Sequence, residues 1–214
     1  MAGVLGICLG SVALTYGGLR YLQGFDGETE RYRKYTAFTQ SCLCVICSEV
    51  ICLLFRLRNE GIILSAENLM RLVGISVWGA CLLTACVMDL ENCMIYNYVW
   101  WVGGIATTIS MVMGTGERLG GLVLFILLQE LFFCRMYGRA DCHAFSVCAM
   151  AESALGMNIR DYLLHMLLAF WLLAMIQGIQ GNIGKKGNLK KPVAFLPYIT
   201  VAFWGMLFWY TSVI

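Results

Sequence analysis

Apolar runs long enough to cross a bilayer follow one another along almost the whole chain, and this limits what it can fold into. A helix needs roughly 20 apolar residues to span the hydrocarbon core. Eight runs of that order are present: residues 2–19, 36–55 (carrying Glu49), 72–88, 94–113, 119–134 (carrying Gln129 and Glu130), 142–157 (carrying Glu152), 162–183 and 192–214. Only 13% of the chain is charged and 60% is hydrophobic, whereas a soluble domain carries about 25% charged residues. With a mean hydropathy of +0.74 and two prolines in 214 residues, disorder, a collagenous repeat and an ordinary water-soluble enzyme are excluded. The expectation is an all-α, polytopic transmembrane bundle of about eight helices, in contact with membrane lipid. The net charge of +2 and the lack of a basic stripe make nucleic acid an unexpected partner.

Most of the eleven cysteines, among them Cys8, Cys44, Cys47, Cys52, Cys81, Cys86 and Cys148, fall inside the apolar runs. There they act as small hydrophobes. The group Cys42, Cys44 and Cys47 holds one CxxC, Cys44 and Cys47, but no second cluster follows in a polar loop, so packing is favoured over metal. No basic residue precedes the apolar core of residues 1–19, which read as a retained helix rather than a signal peptide.

Orientation follows from the basic residues, since short cytoplasmic loops retain positive charge. Ten of the fifteen lie in the odd-numbered loops: Arg20, Arg31, Arg33, Lys34, Arg135, Arg139, Lys185, Lys186, Lys190 and Lys191. The even-numbered loops hold Arg56, Arg58, Arg71, Arg118 and Arg160. Both termini are therefore expected outside, with the loops holding Asp89 and Asp141 in the cytoplasm.

Ionisable groups inside a membrane are costly, which makes each a functional candidate until a structural role accounts for it. Seven carboxylates lie in or at the ends of the runs: Glu49, Asp89, Glu91, Glu130, Asp141, Glu152 and Asp161. Asp161 fits a helix N-terminal role. Glu152, eleven residues after Asp141, would share its helix face at a depth of roughly 16 Å. An interhelical hydrogen bond by a protonated acid accounts for Glu152, and likewise for Glu49 and Glu130. Glu91 competes with Asp89, but two positions on a helix rotate by roughly 200°, so both cannot face one partner. His143 is either an electrostatic neighbour of Asp141 or an interfacial side chain. A metal role is least favoured, because the other histidine, His165, is assigned to a different loop region.

Three stretches carry a family resemblance. Met88-Asp89-Leu90-Glu91-Asn92-Cys93-Met94-Ile95-Tyr96-Asn97 resembles the first motif of the type IV prepilin peptidases, an Asp leaving a helix followed by Ile-Pro-Asn, with Tyr96 in place of the proline. Gly138-Arg139-Ala140-Asp141-Cys142-His143 resembles their G-x-G-D motif, with Ala140 for the second glycine and His143 for a lysine. Lys191-Pro192-Val193-Ala194-Phe195-Leu196-Pro197-Tyr198 resembles the proline-containing entry to their last helix. The matches stand in the family's order and span about residue 72 to the end.

The resemblance implies a GxGD-type intramembrane aspartic protease that cuts the leader of a prepilin or pseudopilin precursor at the cytoplasmic face of a bacterial inner membrane. It implies catalytic Asp89 and Asp141, supported by Gly138, Ala140, His143, Asn97 and Pro197, with no cofactor and no metal. It divides the chain into two N-terminal helices (residues 1–68) and a six-helix protease core (residues 69–214). The first loop, residues 20–35, contains no cysteine, so the family's cytoplasmic CxxC insert is not expected and the chain reads as peptidase only. The chemistry suits the residues: one ionised carboxylate activates water while a protonated one donates a proton. Two such groups close together titrate as a unit. Ala140 gives up glycine's access to positive φ, which bears on the turn before Asp141. The alternatives are a catalytically inactive relative and a small transporter using Glu49, Glu130 and Glu152.

Overall fold

The structure is a computed structural model that describes residues 66–92, 95, 97–112, 119–183 and 193–213. Among the described residues it is all-helical, with no strand: α1 (Ala66–Asn92), α2 (Asn97–Val112), α3 (Leu119–Leu131), a 3-10 turn (Phe133–Arg135), α4 (Arg139–Ala154), α5 (Ile159–Ile183) and α6 (Leu196–Val213). The first two expected runs, with Glu49 and the Cys42, Cys44 and Cys47 group, lie outside the described residues, as do Tyr96 and Pro192. Each of the other six runs corresponds to a helix with shifted ends.

Those shifts have local causes. Asp89 does not leave its helix as expected; α1 continues to Asn92, through the helix formers Leu90 and Glu91. α4 begins three residues before the apolar run, because Gly138 takes an extended conformation (φ −61°, ψ 154°) as N-cap and polar residues build the first turn. It ends in a Schellman motif. Gly156 adopts φ +87°, its N–H donates to Ser153 O, and Met157 N–H donates to Glu152 O. α5 opens on a capping box: Asn158 Oδ1 accepts Arg160 N–H at 2.9 Å, and Asp161 Oδ2 accepts Asn158 N–H at 2.7 Å. The helix N-terminal role expected for Asp161 is thereby given its geometry. Pro197 occupies the first turn of α6, where its missing N–H costs nothing.

α4 is the hub and packs against each of the other five helices. Its residues from Ala144 to Ala149 are buried without a break, which its small side chains permit. α1 and α2 approach closely through Gly74 and Gly103; a methyl at Gly74 would fall on Ser110 Oγ, and one at Gly103 on the Trp78 ring. Trp78, Leu82, Phe125, Phe145, Tyr162, Ile199 and Phe203 fill the core, and Cys86, Cys142 and Cys148 are buried among such side chains.

The outer surface is apolar too. Trp101, Ile105 and Ile109 on α2, Val123, Leu124 and Leu127 on α3, and Leu164, Leu167 and Trp171 on α5 are exposed. Val73–Leu90 and Ile159–Ile179 are long and apolar enough to cross a membrane, while Val99–Val112 and Leu196–Leu207 are shorter apolar stretches.

Candidate active site

Alternating helix directions bring the C-terminal end of α1 and the N-terminal ends of α4 and α6 to one end of the bundle. Asp89, three residues before the end of α1, is buried, and its Oδ2 accepts the Leu196 N–H of α6 at 3.0 Å. The N-terminus of a helix offers unpaired N–H groups and a partial positive charge, so a carboxylate is stabilised there.

Asp141 stands in the first turn of α4 and is partly buried. Burial, reinforced by the nearby Asp89 charge and opposed by the Gly138 N–H, pushes its carboxyl up from 3.8 to about 7. Two carboxyl groups far apart in sequence thus act on each other. Gly138 is itself exposed, and a Cβ there would stand 3.3 Å from Asp141 Oδ2. The residue types at this corner follow from crowding: a side chain at Gly138 would lean on the acid.

The other expected residues take varied places. Ala140 is helical, so this position makes no demand for positive φ, and the turn before Asp141 is extended at Gly138 instead. His143 Nδ1 lies 3.3 Å from Glu130 Oε1, with both side chains more than two-fifths exposed, and its ring centroid is 6.4 Å from that of Trp100. Glu130 is therefore a surface residue and not an embedded acid. Asn97 begins α2 and is exposed. The side chain of Glu91 lies outside what is described.

Glu152 finds its interhelical partner in His165, at 2.7 Å between Oε1 and Nδ1. This corrects the loop position expected for His165, which is buried within α5. Among the described residues no three His, Cys, Asp or Glu side chains converge as a metal site.

Sequence reasoning missed Tyr137 and Gln129. The Tyr137 hydroxyl donates to Gln129 Oε1, and the ring packs edge-on against Phe145, Phe170 and Phe195. Burial, then the neighbouring Cys142 and Asp141, raise the phenol well above its ordinary value. The available signal was its position directly before Gly138. No family model, curated protein or solved structure matches the chain.

Proposed function

We propose that the chain is an intramembrane aspartic endopeptidase of the prepilin-peptidase type, with Asp89 and Asp141 as its catalytic pair. The observation that carries this reading is the electrostatic coupling of the two, with Asp141 titrating near 7 beside Asp89. The pair holds one proton near neutrality. The helix N-terminal donor on Asp89 localises negative charge there and leaves the proton on Asp141.

Asp89 then takes a proton from water as the oxygen adds to the scissile carbonyl carbon, and Asp141 gives its proton to the carbonyl oxygen. Collapse of the tetrahedral intermediate breaks the C–N bond. The leaving amine takes the proton from Asp89, and Asp141 recovers its own from the collapsing hydroxyl. The exposed glycine beside Asp141 supports access by an extended peptide.

The apolar outer faces of α2, α3 and α5 support a polytopic membrane bundle, with residues 69–214 as the protease core. The distribution of Lys and Arg supports a cytoplasmic site in a bacterial inner membrane. A prepilin or pseudopilin leader is the proposed substrate. Incubating the purified protein with a pilin precursor tests this: leader release by wild type, absent in Asp141→Asn, supports it, and an intact precursor counts against it.

The second reading is an inactive relative, favoured by the Leu196 N–H on Asp89, since a carboxylate used as a helix cap has a structural role of its own. Binding of the precursor without cleavage would mark that case. A transporter reading loses support, because Glu130 pairs with His143 at the surface while Glu152 pairs with His165 in the core.

A further inference from the structure

A second polar node joins three helices inside the bundle. Glu152 on α4 is completely buried, and its Oε1 lies 2.7 Å from Nδ1 of His165 on α5, which is also buried. His165 Nε2 stands 3.1 Å from the carbonyl oxygen of Ile199 on α6. A carbonyl only accepts, so Nε2 carries the hydrogen and Nδ1 is the ring nitrogen that faces the Glu152 carboxyl. A buried pair of this kind adds little stability over apolar side chains of similar volume. Its place in the bundle offers another role.

Asp141 and Glu152 are on the same helix, α4. Ile199 lies three residues beyond Leu196 on α6, and the Leu196 N–H holds Asp89. A continuous path therefore runs from Asp141 along α4 to Glu152, through His165 to Ile199, back along α6 to Leu196, and across to Asp89. We propose that Glu152 and His165 are positioning residues that set the separation of Asp89 and Asp141 by fixing α6 against α4. The proposal rests on the carboxyl-pair reading above.

The mechanism is geometric. A helix advances about 1.5 Å per residue, so a small slide of α6 moves Leu196, and Asp89 with it, by a distance that matters to two neighbouring charges. The interaction falls with separation, so the titration of Asp141 reports on it. The ionisable group acting on Asp141 is Asp89 from α1; Asp141 acts in turn on Tyr137 of the turn and Cys142 of α4, and Glu130 of α3 and Cys134 act on Cys142. Those acting on Glu152 are His165 and Asp161 of α5, and it acts in turn on Cys148 of α4.

The test is an infrared titration of the full chain in lipid nanodiscs, with the Asp141 carboxyl band assigned by its loss in Asp141→Asn. No cleavage activity is needed. Asp89→Asn is expected to lower the Asp141 midpoint by removing the neighbouring charge. His165→Phe combined with Glu152→Leu removes both buried polar groups and orphans neither, and should lower the midpoint in the same direction as Asp89→Asn, because the two carboxyl groups are no longer held at their wild-type separation. Glu152→Gln combined with His165→Gln replaces the contact by an uncharged pair whose amides can hydrogen-bond across the same gap, and should retain the wild-type midpoint. An unmoved midpoint in the Phe and Leu variant, while Asp89→Asn moves it, overturns the positioning role. Equal shifts in the two double variants overturn it as well, because the bridge would then be irrelevant. No shift in Asp89→Asn removes the carboxyl pair itself and takes this proposal down with it.

Discussion

The backbone N–H of Leu196 donates to the buried Asp89 Oδ2 across 107 positions of sequence, at 3.0 Å. This bond joins the end of α1 to the start of α6, and it makes Asp89 both a helix cap and a member of the carboxyl pair. The two roles separate by substitution. Asparagine keeps an acceptor for Leu196 and loses the charge, while alanine loses both.

Asp89→Asn should therefore leave the thermal midpoint close to wild type, and Asp89→Ala should cost about 0.5–2 kcal/mol, the range for a lost N-cap. Thermal unfolding in detergent, followed by circular dichroism, measures this. Equal stability of the two variants would show that the cap carries no weight.

Precursor cleavage should fall by about 10²–10⁴ in both Asp89→Asn and Asp141→Asn, since each removes one acid or base role. Glu91→Gln should be much milder. A dead Glu91→Gln beside an active Asp89→Asn would transfer the first catalytic role to Glu91.

Activity should follow a bell-shaped pH profile, because the fully protonated and fully ionised pairs each lack one role. The descending limb is expected near 7, where Asp141 loses its proton. A profile flat from acidic to neutral pH would eliminate the pair mechanism.

The same carboxyl sets a stability trend of opposite use. Its folded value of about 7 exceeds the ordinary 3.8, so between those values the folded state holds a proton that the unfolded state has released. Stability should then decline as pH rises through that window and level off above it. Asp141→Asn should flatten this slope. An equally steep slope in the variant would assign the trend to other groups.

His143→Gln should change stability by less than about 1 kcal/mol, because its contact with Glu130 is largely exposed. A shifted upper limb of the activity profile in His143→Gln and His143→Lys would nonetheless give the residue an electrostatic part in the site. Activity assays across pH decide between these outcomes.

Among the described residues, helix existence was legible in the sequence where apolar runs approached bilayer length, and all six described helices coincide with such runs. Their ends were less legible. The apolar run stops before Asp89, yet α1 continues through the helix formers Leu90 and Glu91, which hydropathy alone does not register, and the early start of α4 depends on a glycine cap preceding polar residues. The acids Asp89 and Asp141 could be singled out by their positions at run ends, but their mutual influence required the folded arrangement. Glu152 announced itself as a buried acid; its partner was misassigned because His165 looks like a lone polar residue near a run boundary. Tyr137 gave no periodic signal, lying in a short turn where only its neighbour Gly138 marked the place.

The hub position of α4 carries a consequence for how this sequence can change. The helix with the smallest side chains meets neighbours on every side, whereas the bulkiest apolar residues of α2, α3 and α5 look outward. Exchanging Leu for Ile or Phe on the outward faces alters little in the interior, so those positions are free to drift among greasy residues. An added methyl at Ala144, Ala149 or Ala151, each buried to within about one per cent, must push a whole helix aside. Among the described helices, mutational intolerance should thus peak in the least hydrophobic one, the reverse of the pattern in a water-soluble globule.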